Sequence, residues 1–176
     1  KNLKESLGGL FGDKAKEFLQ GQLSCDVVKV TAKTMQKGAL LNLKGRVLAL
    51  VYVVILDDVM HLIVPKSLLA KTIKSLAKTA MLSSVVLKEE TQYQCVGLYL
   101  HNKAQNCWSE EKNIYMLDER FYIILSAKST IKATKAYADW HKYRLLQGDV
   151  EITPESRGLF LPHQLNLDAK GYISYD

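Results

Sequence analysis

GALLNLKGRVLALVYVVILDDVMHLIVP, residues 38–65, is the stretch whose reading decides the fold. It reads as three strands joined by two tight turns. Leu40 and Leu41 run into Asn42-Leu43-Lys44-Gly45, where asparagine and glycine tolerate the positive φ that a reversal needs. Arg46 to Leu56 is a long apolar run, too rich in β-branched valine and isoleucine to favour a helix. Asp57-Asp58 marks the second turn, and Met60 to Val64 returns before Pro65 ends the strand signal. A run this apolar must be covered on both faces, so the rest of the chain is expected to pack around it.

The bulk properties set limits on that packing. A chain of 176 residues can bury one good core, or two small cores sharing an interface. Its 48% hydrophobic and 24% charged residues are those of an ordinary globular protein. No apolar run reaches the roughly 20 residues needed to span a bilayer. Residues 1–10 lack the long apolar stretch of a signal peptide, and the chain opens without Met, so a trimmed piece is expected. Cys25, Cys95 and Cys107 are odd in number and widely spaced, which points to a reducing compartment, with the cytoplasm as the default. The net charge of +6 favours an anionic ligand or surface, but the lysines are scattered, and solvated faces on a basic protein are the simpler reading.

Outward from the central stretch, Asp13 is the expected N-cap of a first helix whose apolar face is Ala15, Phe18, Leu19 and Leu23. Val27 to Val30 follows as a short strand. Between them, Gln20 and Gln22 flank Gly21; their amides either aim at a ligand or stitch the helix end. Pro65 is expected to open a second helix over residues 66–81, with Leu69, Ile73, Leu76 and Ala80 inward and Lys71, Lys74 and Lys78 outward. Residues 83–88 read as a strand, Glu89-Glu90 as a charged break, and residues 93–100 as another strand. Residues 101–112 are polar. Residues 114–117 and 121–125 form a hairpin, and a third helix runs from Lys128 to about Leu146, stopped by Gly148. The repeat of strand, hairpin and helix predicts two similar α+β units with a rigid interface. Past Gly148, residues 150–167 carry two prolines and several amides, an ordered irregular segment of the kind where ligand contacts gather.

Several familiar chemistries are excluded. There is no phosphate-binding Gly-x-x-x-x-Gly-Lys loop, no Gly-x-Gly-x-x-Gly turn and no Gly-x-Ser-x-Gly elbow. His61, His101, His141 and His163 have unrelated spacings, so no metal site is expected. Asp57-Asp58 reads as a hairpin tip rather than an acid–base pair. Trp140 with Arg144 one helical turn later is the most suggestive pair: an indole beside a guanidinium can stack a flat anionic ligand, or be a core tryptophan under a snorkelling arginine. The Lys71, Lys74 and Lys78 face could meet RNA, although a solvent face is the simpler reading.

Three motifs in order, Gly12-Asp-Lys-Ala-Lys-Glu-Phe-Leu-Gln-Gly-Gln-Leu-Ser-Cys-Asp-Val27, Asn42-x-Lys-Gly-Arg-Val47 and Gly158-Leu-Phe-Leu-Pro-x-x-Leu-Asn-Leu167, resemble the YgfZ family, which is related to the glycine-cleavage T-protein, an aminomethyltransferase that uses tetrahydrofolate. The resemblance covers nearly the whole chain. It implies two ferredoxin-like α+β modules around a central folate channel, with a C-terminal β-barrel that this sequence does not reach. The modules would be residues 1–35 with 95–176, and residues 36–94.

The resemblance further implies a tetrahydrofolate-binding accessory protein for iron–sulfur cluster assembly or repair. It would support tRNA modification indirectly, with iron–sulfur enzymes or cluster-assembly proteins as partners, and without direct nucleic-acid or membrane binding. The implied folate-binding residues are Trp140, Arg144, Asn42, Arg46, Gln164 and Asn166, with no catalytic residue assigned. Departures from the transferases support that reading. Ala49 and Leu50 stand where the transferases carry paired aspartates, and Leu146 stands where they carry a glutamate; neither Ala49 nor Leu50 can move a proton. The family's signature Lys-Gly-Cys-Tyr segment should follow residues like Gly171–Tyr175, and lies past Asp176. The competing readings are a folate-dependent aminomethyltransferase and an RNA-binding module.

Overall fold

A computed structural model describes residues 5–99, 113–118, 121–127 and 137–175. The central stretch forms the three strands its sequence predicts: β2 (Gln36–Leu41), β3 (Val47–Leu56) and β4 (Val59–Pro65), paired antiparallel in order. The first turn is closed by Asn42, whose carbonyl accepts from the Gly45 N–H. Its side-chain oxygen accepts from Lys44 N at 2.9 Å and Arg46 N at 3.0 Å. Replacing Asn42 by Ala strands those two donors on a partly solvated turn. A loss of about 1 kcal/mol is expected in a urea titration, and an unchanged midpoint would show that the turn closes without the side chain. The second turn is a two-residue reversal with Asp57 and Asp58 both at positive φ (48° and 61°), so these aspartates are a hairpin tip.

β3 is buried on both faces, as its composition demands. Ala49, Val51 and Val53 face one core with Met60, Leu62 and Val64 of β4. Val54 and Leu56 face the other core with Ile63. The first core is closed by α1 (Ala15–Gln20) through Phe18 and Leu19, and by α2 (Leu69–Leu82) through Leu69, Leu76 and Ala80. Lys71, Lys74 and Lys78 are exposed on the outer face of α2, as their spacing predicts.

Two further strands complete this sheet, in the order β2-β3-β4-β1-β5: β1 (Glu5–Phe11), inserted between β4 and β5 (Val86–Glu90) and antiparallel to both. The second sheet has the order β6-β8-β7, from β6 (Tyr93–Tyr99), β7 (Asn113–Asp118) and β8 (Phe121–Ala127). The hairpin expected at 114–125 is therefore present. Cys95, Tyr115 and Leu125 of this sheet meet Val54, Leu56 and Ile63 in the second core. Burial there pushes the Tyr115 phenol up to about 12, and its hydroxyl donates weakly to Ile55 O at 3.4 Å.

The structure corrects several expectations. Asp13 does not cap α1: Lys14 holds the cap position without a side-chain bond, and the Ala15 N–H is taken by Gly12 O at 3.1 Å. Residues 27–29 form a 3₁₀ turn and not a strand, because Gln20 Oε1 accepts from Val27 N and Asp26 Oδ1 accepts from Val28 N. The Gln20 amide is thus a stitch. Pro65 ends β4 in an extended conformation, and the helix begins only after a 3₁₀ turn at Lys66–Leu68. Ser84 turns at φ 56°, so β5 starts at Val86, and Glu89-Glu90 belongs to it; an edge strand carries such charges at little cost. The third helix is α3 (Tyr137–Leu146), while its expected start at Lys128 and residues 101–112 lie outside the described residues. The backbone of β1 is bonded to both β4 and β5.

Candidate functional site

One face of the five-stranded sheet floors a cleft. Leu50 and Tyr52 of β3, with Ile63 and Pro65 of β4, alternate onto the same side because side chains on a strand repeat every second residue. α3 forms the wall, presenting Tyr137, Trp140, His141 and Arg144 at the 3–4-residue spacing of one helix face. The chain leaving α3 supplies Asp149 and Glu151, and Tyr172 closes the far side. With its solvent-open mouth included, the cleft measures about 610 Å³.

Trp140 is seated by a glycine. A Cβ at Gly97 of β6 would lie 2.6 Å from Cε3 and Cζ3 of the indole, so the ring rests directly on the strand backbone. The residue is 4% exposed and joins the second core while lining the cleft. It is both things its sequence position allowed: a core tryptophan and a cleft wall.

The end of α3 arranges the charges. Gly148 turns the chain at φ 80°, which favours glycine, and lets Asp149 N donate to Arg144 O at 3.1 Å. That closure folds Asp149 back onto the helix. Its Oδ2 then accepts from Arg144 Nε and Nη2, both at 2.9 Å, with the arginine 6% exposed. One turn earlier on α3, His141 Nδ1 lies 3.0 Å from Glu151 Oε2 at the cleft mouth, and Tyr137 stacks on the imidazole with 5.8 Å between ring centres. The cleft thus combines aromatic faces with two carboxylates. Those carboxylates suit the donor edge of a flat amino-substituted heterocycle. Among the described residues the cleft lining has no serine, threonine or cysteine, and Leu50 puts a hydrocarbon on its floor. Ala49, the neighbouring position, points to the opposite face of the sheet and into the first core.

The six candidate residues fall into two groups. Trp140 and Arg144 line the cleft. Asn42, Arg46, Gln164 and Asn166 do not line it; Arg46 helps clasp the β2–β3 turn to residues 158–167, while Asn42, Gln164 and Asn166 shape their own turns. Arg46 Nη1 donates to Leu159 O, Val47 N donates to Phe160 O, and Gly158 N donates to Val47 O. Gln164 Oε1 accepts from Leu161 N at 2.8 Å, and Asn166 ends the 3₁₀ helix Pro162–Leu165 at φ 56°. The irregular segment is ordered, but its amides serve its own backbone. Sequence reasoning missed Tyr52, Tyr137, His141, Asp149, Glu151 and Tyr172. The spacing of Tyr137, Trp140, His141 and Arg144 on one helix face was the available signal; Tyr172 had none.

No protein-family model matches the chain. It is 25% identical to the tRNA-modifying protein YgfZ of Colwellia psychrerythraea, an alignment covering 94% of this chain and 59% of that protein. It is 24% identical to the protein of the same name in Vibrio atlanticus, with 94% and 57% covered. The chain thus spans somewhat under three fifths of the length of these curated relatives. Among solved structures, it superposes on the glycine cleavage system aminomethyltransferase T of Bartonella henselae with a TM-score of 0.54. That match has 15% identity and covers 70% of this chain and 40% of the other, so it concerns the fold alone. No helix among the described residues is long and apolar enough to cross a membrane.

Proposed function

We propose that this chain, a relative of the YgfZ proteins with an aminomethyltransferase-like fold, binds tetrahydrofolate in the cleft beneath α3 and does not turn it over. The observation that carries the reading is the seat of Trp140 on Gly97, beside the Arg144–Asp149 pair and above Leu50. The aromatic walls fit a pterin, and the carboxylates of Asp149 and Glu151 fit its amino and ring N–H donors. Folate would supply a one-carbon carrier. The chain's own residues orient it, and no side chain at Leu50 can take a proton from it. Ferredoxin-like modules enclosing a channel are the architecture proposed for this protein. Its proposed role is support of iron–sulfur cluster assembly or repair, reaching tRNA modification through iron–sulfur enzymes.

Isothermal titration with tetrahydrofolate tests the site. Binding is expected, and Glu151→Gln should weaken it by about tenfold, since one hydrogen bond to a charged group contributes about 1.5 kcal/mol or more. A Glu151→Gln protein that binds as the unaltered one does would remove that carboxylate from the site. The transferase reading predicts aminomethyl transfer in a reconstituted glycine-cleavage assay. None is expected, because Leu50 stands on the cleft floor.

A further inference from the structure

We propose a second functional surface, on the opposite side of the five-stranded sheet from the cleft: the outer face of α2, as a docking site for the phosphate backbone of RNA. Residues 66–88 contain five lysines and no aspartate or glutamate. A solvated helix usually balances such lysines with carboxylates three or four residues away, and α2 offers none. Lys71, Lys74 and Lys78 stand three and four residues apart on one exposed face, so they repel one another, and an anionic partner relieves that repulsion. The fold then adds a fourth cation that the sequence keeps far away. Arg157 Nη2 donates to Ser75 Oγ at 2.8 Å, and Ser75 lies one turn from both Lys71 and Lys78. Ser75 is itself held by Lys71 O at 2.9 Å.

The surroundings match this reading. One carboxylate stands nearby, the fully exposed Glu155, held below the usual range chiefly by its own backbone hydrogen bond and by Thr153, with Lys71 adding to the effect. The apolar face of α2 is spent on the first core through Leu69, Leu76 and Ala80. That stripe is therefore not available to sink into a bilayer as an interfacial helix would, and the exposed apolar residues of α2, Met81 and Leu82, stand at its C-terminal end, beyond Lys78. Lys71 to Lys78 covers about 10 Å of helix at 1.5 Å per residue, enough to follow successive phosphates. Lysines without interleaved aromatic side chains read the backbone and not the bases, so the binding is expected to be independent of sequence.

The experiment measures anisotropy of a fluorescein-labelled RNA hairpin against salt from about 50 to 200 mM. The unaltered protein should bind with a steep salt dependence. In Lys71→Gln/Lys74→Gln/Lys78→Gln the slope of log K against log salt should be shallower by about 2 to 3 units, and Arg157→Gln should remove about one more. All four positions are outside the cores, so circular dichroism and thermal midpoints should stay unchanged, as should tetrahydrofolate binding. An unaltered protein that does not bind the hairpin, or a triple variant with the original slope, would overturn the proposal. So would phosphatidylserine vesicles that bind more tightly than RNA and lose binding in the triple variant.

Discussion

Gly97→Val is expected to cost about 3 kcal/mol of stability and to unseat Trp140, with the indole emission shifting to longer wavelength. The physical argument is one of space. Any Cβ at position 97 lies 2.6 Å from two ring carbons and 2.8 Å from Cδ2, well inside van der Waals contact. The clash is with a rigid ring and not the tip of a flexible chain. That ring is packed among Tyr115, Leu125 and Val54, so it cannot step aside without opening the second core. Overpacking of a full core costs about 1–3 kcal/mol, and the two methyl groups of valine place this substitution at the upper end. Gly97→Ala should fall lower in the same range. Urea titration followed by tryptophan emission reads both quantities together. A valine variant with the original midpoint and emission would mean that the indole does not rest on β6.

Asp149→Ala is expected to lose about 3 kcal/mol as well, by a different route. It removes the carboxylate that meets two nitrogens of a guanidinium buried against the cleft wall. Removing one partner of a buried ion pair costs about 3–5 kcal/mol, and the partly exposed aspartate places this case at the lower end. Arg144→Met/Asp149→Ala should be less destabilised than the sum of the single changes, with a coupling of about 1–3 kcal/mol, because the double variant leaves neither charge stranded. Additive losses across the cycle would show that the two groups do not act as a pair. The same residues form the cleft wall, so this cycle also reports how far the site's geometry depends on α3 ending at Gly148.

Legibility of the fold followed the strength of local signals. The three strands of residues 38–65 were readable because valine-rich runs, Asn42-Gly45 and Asp57-Asp58 all specify the same hairpins. The inward stripe of α2 was readable from its period. β1 was not, because Gly8 and Gly9 break its apolar pattern. At Gly9 the space is limited both along the strand and across it: a Cβ there would meet the Phe11 ring at 3.0 Å and His61 Nε2 at 3.4 Å. The 3₁₀ turn at Val27 was hidden for a similar reason, since β-branched residues favour a strand until Gln20 and Asp26 capture their N–H groups.

At the site, Trp140 and Arg144 were legible from residue type and spacing. Asn42, Arg46, Gln164 and Asn166 were implied by the resemblance alone; in the structure Arg46 bonds across to Leu159 O, and the other three shape their own turns. Asp149 and Glu151 were harder to see, because their place depends on a chain reversal at Gly148 that spacing alone does not describe.

The central claim is that the cleft under α3 takes a reduced folate against Trp140. Its most direct test is tryptophan emission during a tetrahydrofolate titration of a Trp108→Phe protein, in which Trp140 is the remaining tryptophan. Saturable quenching beyond that of free tryptophan at the same ligand concentrations is the predicted result. Emission that follows free tryptophan throughout would contradict it.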